Sequence, residues 1–381
     1  MKVLVVGCGN IGSVAAEDLA KSIGSVDVVV ADKNETYAKN VAEKIRRKNV
    51  SWIQLDTTDR NKLVKTMKDF SLVMGFLPGR FGYGLVETCI DTGKDLVDVS
   101  YMPESPLTLH EKAVNADVQI IPDCGLTPGI SNILVGHAKA KLDKVETVHI
   151  MVGGLPEKPT PPLGYVITWS PENLIDEYTR KATIVENGKK VEVKALSGLE
   201  TVDFSGLGRL EAFFTDGLRT LLHTMPDACD MWEKTLRYLG HAEKIKLLEA
   251  LGFFEEEPIS VDGIGVSPRK FTAKLFTRKL WKPEVKDVVA LKVEVSGIQD
   301  NKRAVYVYHL LDYYDKEHGI TAMARTTAYP ASIIAQFMLM KAVKGEGVIP
   351  PEEIGMDSKL FRMFLGELGK RGIRVNEEVI R

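Results

Sequence analysis

Residues 3–12 read Val3-Leu4-Val5-Val6-Gly7-Cys8-Gly9-Asn10-Ile11-Gly12. The aliphatic run predicts a buried strand, and the apolar spacing from Val14 to Leu19 predicts a helix directly after the last glycine. A Gly-x-Gly-x-x-Gly loop between a strand and a helix is typical of dinucleotide binding. Its glycines allow a tight turn, close approach of the backbone to a pyrophosphate, and close packing of the helix, whose N-terminus attracts the anion. The predicted cofactor contacts in this loop are Gly7, Gly9, Asn10, Ile11 and Gly12.

An acidic residue follows at the end of the second predicted strand. Asp32 lies about 20 residues after Gly12, where a carboxylate accepts hydrogen bonds from the adenosine ribose hydroxyls. A 2′-phosphate would meet like charge there, so we expect NAD rather than NADP. Ligands of such sheets lie outside the carboxyl ends of the strands, and this adds contacts at the later strand ends. These predicted contacts are Lys33, Asp56, Thr57, Phe76, Leu77, Pro78 and Asp98.

Strand and helix patterns alternate over the first 122 residues. The predicted strands are residues 3–6, 26–31, 51–55, 72–76, 96–99 and 118–121, and the predicted helices are 11–22, 35–48, 59–68, 83–92 and 106–115. This alternation predicts an α/β fold that begins with a doubly wound (Rossmann) domain, a parallel sheet covered by helices on both faces.

The alternation then stops, and a second domain is predicted. Thr127-Pro128 has the composition of a helix start, because Thr is a good N-cap and Pro suits the first helical position. Further β-branched runs predict a second, α+β domain built on a mixed sheet with helices on one side. Its predicted strands are 148–152, 191–193, 288–295, 305–311 and 321–325. The predicted domain ranges are 1–124, 125–327 and 328–381, the last a helical segment that returns to the Rossmann domain.

Residues 330–343 form the last strong helical pattern, which starts at Pro330 and has almost no polar stripe. A helix that is apolar nearly all round is buried. We expect it to lie at a seam between domains or between subunits, and we therefore expect a homodimer or a larger homo-oligomer.

Composition excludes several classes of protein. With 50 Lys+Arg against 52 Asp+Glu, the formal net charge is −2, so nucleic acid is a poor partner. A cluster of basic and aromatic residues over 269–286 is interpreted as one solvated face of a helix that starts at Ser267-Pro268. The cysteines have no CxxC spacing, so no metal site is expected. No stretch reaches the ~18 apolar residues of a membrane span, and we expect a cytoplasmic protein.

Five short blocks in order carry a resemblance. They are residues 123–130 (DCGLTPGI), 152–156 (VGGLP), 210–213 (LEAF), 237–244 (RYLGHAEK) and 321–329 (TAMARTTAY). With the dinucleotide loop they resemble the saccharopine dehydrogenase-like family almost end to end. The resemblance implies an NAD-dependent enzyme that oxidatively deaminates the ε-amine of L-lysine and releases ammonia. Two alternatives remain open: an enzyme of the same fold acting on saccharopine or another secondary amine, and a non-catalytic NAD-binding sensor.

The chain departs from the saccharopine-forming reductases of this family in two places. Those enzymes read Gly-Leu-Asp-Pro-Gly where this chain has Thr127 in the third position, so the nearest acid is Asp123. They also tend to carry an Arg-Asp-Ser stretch that holds the glutamate half of saccharopine, where this chain has residues 215–219 (TDGLR). The altered loop implies a smaller substrate, although Arg219 could supply the same charge from a shifted position.

The implied reaction assigns roles to individual residues. Hydride leaves the ε-carbon only when the amine is free, yet an unperturbed ammonium has a pKa of about 10.4, so a proton acceptor is needed. Asp123, after the sixth strand, is predicted as that acceptor, with Asp98 as a weaker alternative and His241 as a proton relay.

The substrate itself is an amino acid, and its α-carboxylate calls for a guanidinium, since bidentate pairing also fixes orientation. Arg237 is the first choice and Arg219 the second. Thr215, in the altered loop, and Tyr165, as a wall for the lysine side chain, complete the predicted substrate contacts.

Overall fold

A computed structural model describes all 381 residues. The chain forms two compact units, Met1–Lys141 with Ala324–Arg374 and Leu142–Met323 with Val375–Arg381. We call them the first and the second unit. They divide the chain after 141 and after 323, whereas the sequence pattern predicts boundaries after 124 and after 327. The segment Ala324–Arg374 returns to the unit that begins the chain.

The strands are β1 (Lys2–Val6), β2 (Asp27–Asp32), β3 (Val50–Gln54), β4 (Leu72–Gly75), β5 (Asp95–Asp98), β6 (Gln119–Ile121), β7 (Lys144–Pro156), β8 (Ala182–Glu186), β9 (Lys189–Val193), β10 (Glu200–Phe204), β11 (Gly208–Phe214), β12 (Asp230–Arg237), β13 (Ile259–Val261), β14 (Ile264–Val266), β15 (Asp287–Gln299), β16 (Lys302–Tyr313), β17 (Gly347–Val348) and β18 (Val375–Ile380). The helices are α1 (Asn10–Ser22), α2 (Glu35–Ile45), α3 (Arg60–Met67), α4 (Gly79–Asp91), α5 (His110–Asn115), α6 (Ile130–Lys139), α7 (Pro171–Thr179), α8 (Leu221–Thr224), α9 (His241–Ala250), α10 (Pro268–Leu280), α11 (Ala322–Leu339), α12 (Pro351–Met356) and α13 (Ser358–Lys370), with a 3-10 turn over Pro106–Leu109.

The first unit is built on a parallel sheet with strand order β17-β6-β5-β4-β1-β2-β3. This order confirms the predicted doubly wound fold, and all six predicted strands of this domain are present. Apolar side chains on one face of the sheet, among them Leu4, Val29 and Val73, lie in one buried core cluster. The seventh strand, β17, comes from the returning C-terminal segment and has no counterpart in the prediction.

The helix predicted to start at Thr127-Pro128 begins later, at Ile130. The preceding residues form a tight turn, in which the Gly125 N–H donates to the Pro128 carbonyl at 3.1 Å. Gly129 then takes the N-cap position with φ +135°, a conformation that favours glycine. Its N–H donates to the Asn132 side chain at 3.2 Å. The N-cap assignment of Thr127 is therefore wrong, because the turn occupies the residues that would form the first helical turn.

The second unit is built on a mixed sheet, as predicted. Its main path runs β10-β11-β12-β7-β15-β16-β18, with β8 added beside β12 and β9 beside β8. The neighbours β12 and β7 are parallel, and the other pairs are antiparallel. Helices α7, α9 and α10 contribute side chains to one buried cluster with Phe213 of β11, and the predicted start of α10 at Ser267-Pro268 is confirmed.

The strand predicted over 321–325 is wrong, because α11 begins at Ala322. The buried carboxylate of Asp287, at the start of β15, accepts the N–H groups of Ala322 at 2.7 Å and Met323 at 2.9 Å. A capping residue distant in sequence thus starts the helix. Pro330 lies inside α11 and does not begin a helix.

The apolar part of α11 is already covered within one chain. Ile333, Ile334 and Phe337 are at most 1 % exposed. This helix therefore needs no second subunit to cover its apolar side chains. Its apolar sequence pattern no longer supports the expectation of an oligomer. No helix of the chain combines the length and the apolar character needed to cross a bilayer.

Candidate active site

The glycine-rich loop follows β1 and is held by close backbone contacts. Gly7 has φ +92°, and a Cβ there would lie 2.5 Å from the Phe76 carbonyl oxygen. A Cβ on Gly12 would lie 1.9 Å from the Gly7 carbonyl oxygen. Side chains at either position would push apart β1, the residue after β4 and α1, so these glycines serve packing.

Gly9 differs, because nothing lies within 4 Å of the position of its missing Cβ. It is the N-cap of α1 and makes no side-chain capping bond. The first turn of α1 begins with exposed Asn10 and half-buried Ile11. A helix N-terminus without a side-chain cap, beside open space, fits a pyrophosphate. The loop residues therefore fit the dinucleotide predicted for them.

Asp32 connects this loop to the end of β2. Its Oδ2 accepts the Cys8 N–H at 3.1 Å, and its Oδ1 accepts the Asn34 N–H at 2.9 Å. The carboxylate is half-buried, whereas the neighbouring Lys33 is exposed. Asp32 is thus fixed beside the loop at the place where a ribose-binding carboxylate is expected.

Two more predicted contact groups lie at the same edge of the sheet, since parallel strands end there together. The exposed Asp56 accepts the Thr58 N–H at 3.0 Å and the Thr58 hydroxyl at 2.7 Å, and these bonds lower the pKa of its carboxyl. Thr57 beside it is half-buried. The residues after β4 are also half-buried; they are Phe76, Leu77 and Pro78.

Asp98 is the last residue of β5, and Asp123 follows β6. Both are buried, at 0 % and 1 % exposure. Asp98 packs over Gly75, where a Cβ would lie 2.0 Å from its Oδ2, and its Oδ1 accepts the Ser100 N–H at 2.8 Å. Asp123 has φ +56°. The backbone of Asp98 accepts the N–H of Cys124 at 2.9 Å, so the two acids belong to adjoining strand ends.

A different kind of site lies on β12 in the second unit. Side chains alternate along a strand, so Met231, Glu233, Thr235 and Arg237 share one face. All four are at least nine-tenths buried. Charged side chains are rarely buried without partners, so the partners of Glu233 and Arg237 determine what this face can do.

Glu233 is an acid on this face whose buried carboxyl lacks full compensation. Its Oε1 accepts the Thr215 hydroxyl at 3.4 Å, while its buried Oε2 has no hydrogen-bond partner. The carboxyl lies directly over Gly217, where a Cβ would be 1.9 Å away. Burial raises the pKa of Glu233 to about 8, and the nearby Asp216 adds to the shift, while Thr215 and Arg219 oppose it.

Arg237 is paired instead. Its Nη2 donates to Glu177 of α7 at 2.6 Å, its Nη1 donates to the Leu236 carbonyl at 2.9 Å, and its guanidinium lies 4.6 Å from the centre of the Tyr165 ring. Burial raises the pKa of Glu177, although Arg237 opposes that rise. The Nε of Arg237 is buried without a partner. A substrate carboxylate at Arg237 would therefore have to share it with Glu177.

His241 is held by two hydrogen bonds, and its pKa is lowered to about 3 by burial and by Arg237. Its Nδ1 lies 2.9 Å from the Leu163 carbonyl, so Nδ1 carries the proton and Nε2 accepts the Tyr178 hydroxyl at 2.8 Å. A proton relay must gain and lose a proton near neutral pH. The surroundings of His241 instead favour a neutral ring that positions Tyr178.

The loop after β11 borders this face. Thr215 also contacts the Thr235 hydroxyl at 3.0 Å, and Asp216 pairs with Arg180 at 3.7 Å. Arg219 is half-buried with φ +54°. The structure thus brings Thr215, Tyr165, Arg237 and His241, all predicted from sequence, into one polar cluster with Arg219 in the adjoining loop.

Three acids of this cluster were not predicted: Glu177, Asp216 and Glu233. The sequence pattern that could have identified them on a strand is the alternation in residues 230–237, where Trp232 and Leu236 alternate with Glu233, Thr235 and Arg237. Polar residues at every second position usually indicate a solvated face, and here that face is buried.

Comparison with known proteins places the chain in a family. Residues 3–121 match the family described as saccharopine dehydrogenase NADP binding domain, and residues 125–373 match the saccharopine dehydrogenase C-terminal domain. The chain belongs to the saccharopine dehydrogenase-like family. It is accordingly an oxidoreductase of this family with a pyridine-nucleotide-binding domain, as the first unit's loop and sheet edge indicate.

Relatives within the family differ in name and length. The chain is 25% identical to alpha-aminoadipic semialdehyde synthase of Arabidopsis thaliana, with 99% of this chain aligned to 44% of that protein's length. It is 24% identical to saccharopine dehydrogenase [NADP(+), L-glutamate-forming] of Saccharomyces cerevisiae, with 99% of each chain covered. It is 23% identical to carboxyaminopropylagmatine dehydrogenase of Synechocystis sp., covering 99% of this chain and 98% of that protein.

A solved structure shows the same fold. Apo saccharopine dehydrogenase (L-Glu forming) from Saccharomyces cerevisiae superposes with a TM-score of 0.79 at 22% identity, with both chains fully covered. The Rossmann unit and the mixed-sheet unit are therefore the architecture of this family.

The raised pKa of Glu233 predicts how stability depends on pH. A carboxyl whose pKa is raised on folding binds its proton more tightly in the folded chain, so stability falls as pH rises from the unfolded value of about 4.3 to about 8. Glu233→Gln removes this loss. Relative to wild type, the variant should gain on the order of a few kcal/mol in free energy of unfolding between about pH 5 and about pH 9, measured by urea denaturation. The control is Glu186→Gln, at an exposed position on the adjoining β8, and its free energy of unfolding should depend on pH as that of wild type does. If Glu233→Gln differs from wild type by the same amount at every pH, the raised pKa of Glu233 is contradicted.

Proposed function

We propose that this chain is a lysine 6-dehydrogenase, an NAD-dependent enzyme that oxidatively deaminates the ε-amine of L-lysine. The observation that carries the proposal is the partly uncompensated carboxyl of Glu233 near the guanidinium of Arg219. An α-amino acid head presents an ammonium and a carboxylate together. A buried carboxyl with a free oxygen and a nearby guanidinium are the complements of those two charges.

In this proposal the substrate head binds in the polar cluster. Glu233 holds the α-ammonium. This ammonium favours the ionised form of the carboxyl and offsets part of the free-energy cost of burying it. Arg219, with Arg237 as the second guanidinium, binds the α-carboxylate. Thr215 positions Glu233. The Tyr165 hydroxyl accepts the indole N–H of Trp169 at 3.0 Å, and the Tyr165 ring forms a wall for the aliphatic chain of the substrate.

Asp123 is the proposed proton acceptor at the ε-amine. It takes a proton from the ammonium and frees the nitrogen lone pair, which then forms the carbon–nitrogen double bond as hydride leaves the ε-carbon. Bound NAD supplies the hydride acceptor. Water adds to the resulting imine, ammonia leaves, and the aldehyde cyclises with the α-amine of the same molecule.

The names of the relatives favour a second candidate. Two of them are called saccharopine dehydrogenase and carboxyaminopropylagmatine dehydrogenase, and an enzyme of that type would cleave a secondary amine. Saccharopine carries an additional glutamate moiety with two carboxylates. Each needs a cationic partner when buried, because an unpaired buried charge costs several kcal/mol. In the proposed binding mode the α-carboxylate of the head already uses Arg219 and Arg237, and Arg237 also pairs with Glu177, which weighs against a substrate with two further carboxylates.

The preference for the cofactor follows from Asp32. The matching family is described as NADP binding, but a carboxylate held at the ribose position repels a 2′-phosphate. NAD should therefore give a higher kcat/KM than NADP, and Asp32→Ala should lower the ratio of the two kcat/KM values by about tenfold or more. Asp27→Ala, at the exposed opposite end of β2, should leave the ratio unchanged. A wild-type preference for NADP would defeat the assignment.

Asp123 can be tested by a substitution that keeps its backbone. Asn tolerates positive φ, so Asp123→Asn preserves shape and removes the proton acceptor. Turnover should fall by roughly 10² or more with cofactor affinity nearly intact. Asp117→Asn is the matched control, since Asp117 also has φ +56° and precedes the amino end of the same strand, β6. Near-normal turnover of Asp123→Asn would rule out its proposed role.

The decisive assay compares L-lysine, ornithine and saccharopine with NAD and measures NADH, ammonia and glutamate. L-Lysine should give NADH and ammonia. Ornithine, one methylene shorter, should react roughly 10 to 200-fold more slowly, because pocket occupancy alone discriminates weakly. Glutamate formed from saccharopine without ammonia would establish the second candidate. NADH from none of the three would favour a non-catalytic NAD-binding sensor.

A further inference from the structure

A cavity of about 290 Å³ lies in the second unit beside the polar cluster. Its floor is a row of three side chains on neighbouring strands. Met231 of β12 pairs with Val185 of β8, and Val185 pairs with Lys190 of β9. Directly paired residues point to the same face of a sheet. The row therefore lies on the face of β12 that also carries Glu233.

The roof of the cavity is formed by the segment between β11 and β12. Its lining residues are Leu222, His223, Met225, Pro226 and Ala228. Within this segment the Met225 N–H donates to the Leu221 carbonyl at 3.0 Å. Across the cavity, the N–H of Gly188 in the turn between β8 and β9 donates to the Cys229 carbonyl at 2.8 Å. The roof is therefore tied by hydrogen bonds to the strands that form the floor.

The base of the cavity is apolar and its mouth is cationic. The side chains at the base are at most 5 % exposed; they are Val185, Met225, Ala228 and Met231. Lys190 and His223 also line the cavity but are exposed. Burial lowers the pKa of His223, and the nearby Lys190 lowers it further. The ammonium and the imidazole thus lie close together at the mouth.

No carboxylate lines the cavity to compensate Lys190 and His223. Asp227 belongs to the roof segment, but it is exposed and is not among the lining residues. At the far end of the same two strands, Lys181 has a partner of its own, since it approaches Glu192 at 3.2 Å. A positive charge at the mouth of an apolar cleft attracts an anion.

We infer that this cavity binds a small carboxylate with an apolar body. The body leaves water and contacts the apolar base, while the carboxylate meets the Lys190 ammonium and accepts a hydrogen bond from the His223 imidazole. At about 290 Å³ the cavity is near the lower end of the range for small-molecule sites, so the ligand has few carbon atoms.

The lining distinguishes this ligand from two others. A free amino acid fits less well, because no acid in the cavity can pair with its ammonium, whereas Glu233 offers a carboxyl in the polar cluster. Inorganic phosphate would leave the apolar base uncovered. The inference also does not depend on the substrate proposed above, because binding to the cavity can be measured without turnover.

The test uses the full chain and the methyl groups of its 12 methionines, labelled with ¹³C for nuclear magnetic resonance. Met225 and Met231 line the cavity, and each signal is assigned by its loss in Met225→Leu or Met231→Leu. Hexanoate at millimolar concentration should shift these two signals saturably and leave the methionine signals of the first unit unchanged. Hexanamide, which has a similar shape without the charge, should bind about fivefold more weakly. Inorganic phosphate should shift neither signal.

Lys190→Gln should weaken hexanoate binding by a similar factor and leave hexanamide binding unchanged. Lys189→Gln is the matched control, since Lys189 is exposed on the same strand and points to the opposite face. It should bind hexanoate as wild type does. Ala228→Leu, which fills the base, should abolish the shifts caused by both hexanoate and hexanamide, with the other methionine signals as a check of the fold.

Four results would each overturn the inference: no saturable shift of the two signals, equal binding of hexanoate and hexanamide, equal effects of the two lysine substitutions, or unchanged binding in Ala228→Leu. None of them bears on the oxidation of L-lysine. Failure of the proposed function, in turn, would leave the binding of hexanoate unchanged.

Discussion

The buried ion pair between Arg237 and Glu177 constrains most of the second unit. Burying a guanidinium and a carboxylate costs several kcal/mol per ion unless they are paired and hydrogen-bonded. Strand β12 supplies Arg237, and α7 has to lie above it so that Glu177 approaches to 2.6 Å. The rest of the space is filled by Tyr165 under the guanidinium and by Tyr178, which bonds neutral His241. Arg237 thus helps to fix the position of α7 on the sheet.

Two residues before Arg237 on the same face, Thr235 connects through Thr215 to a carboxyl that the fold does not fully compensate. Glu233 keeps one oxygen without a partner and has a raised pKa. A site that retains such a group loses stability, and strongly perturbed carboxyls cluster at functional sites for that reason. The contrast with Arg237 separates two roles on one strand: the paired guanidinium builds the cluster, and in our proposal the carboxyl of Glu233 meets the substrate ammonium.

Sequence patterns predicted the first unit well because its strands are apolar on both faces and its recognition loop depends on glycines. Strand β12 was missed because its buried positions carry Glu, Thr and Arg, which in sequence resemble a solvated face. The strand predicted at 321–325 was wrong for another reason, since Asp287, distant in sequence, caps Ala322 and starts a helix. Glu177 belongs to no motif, and only the packing of α7 on the sheet identifies it.

The two units therefore recognise ligands by different means, and this limits what family membership implies. Backbone groups around Gly9 and at the ends of parallel strands suit any pyridine nucleotide, and in our proposal Asp32 sets the choice between NAD and NADP. In the proposed site the second unit acts through side chains on β12 and residues 215–219, where one exchange can change the sign of a charge while the sheet stays the same. At 22–25% identity the fold persists, while such positions can vary freely. In the proposed site the substrate is therefore selected by the charges of Glu233 and Arg219, which the fold alone does not fix.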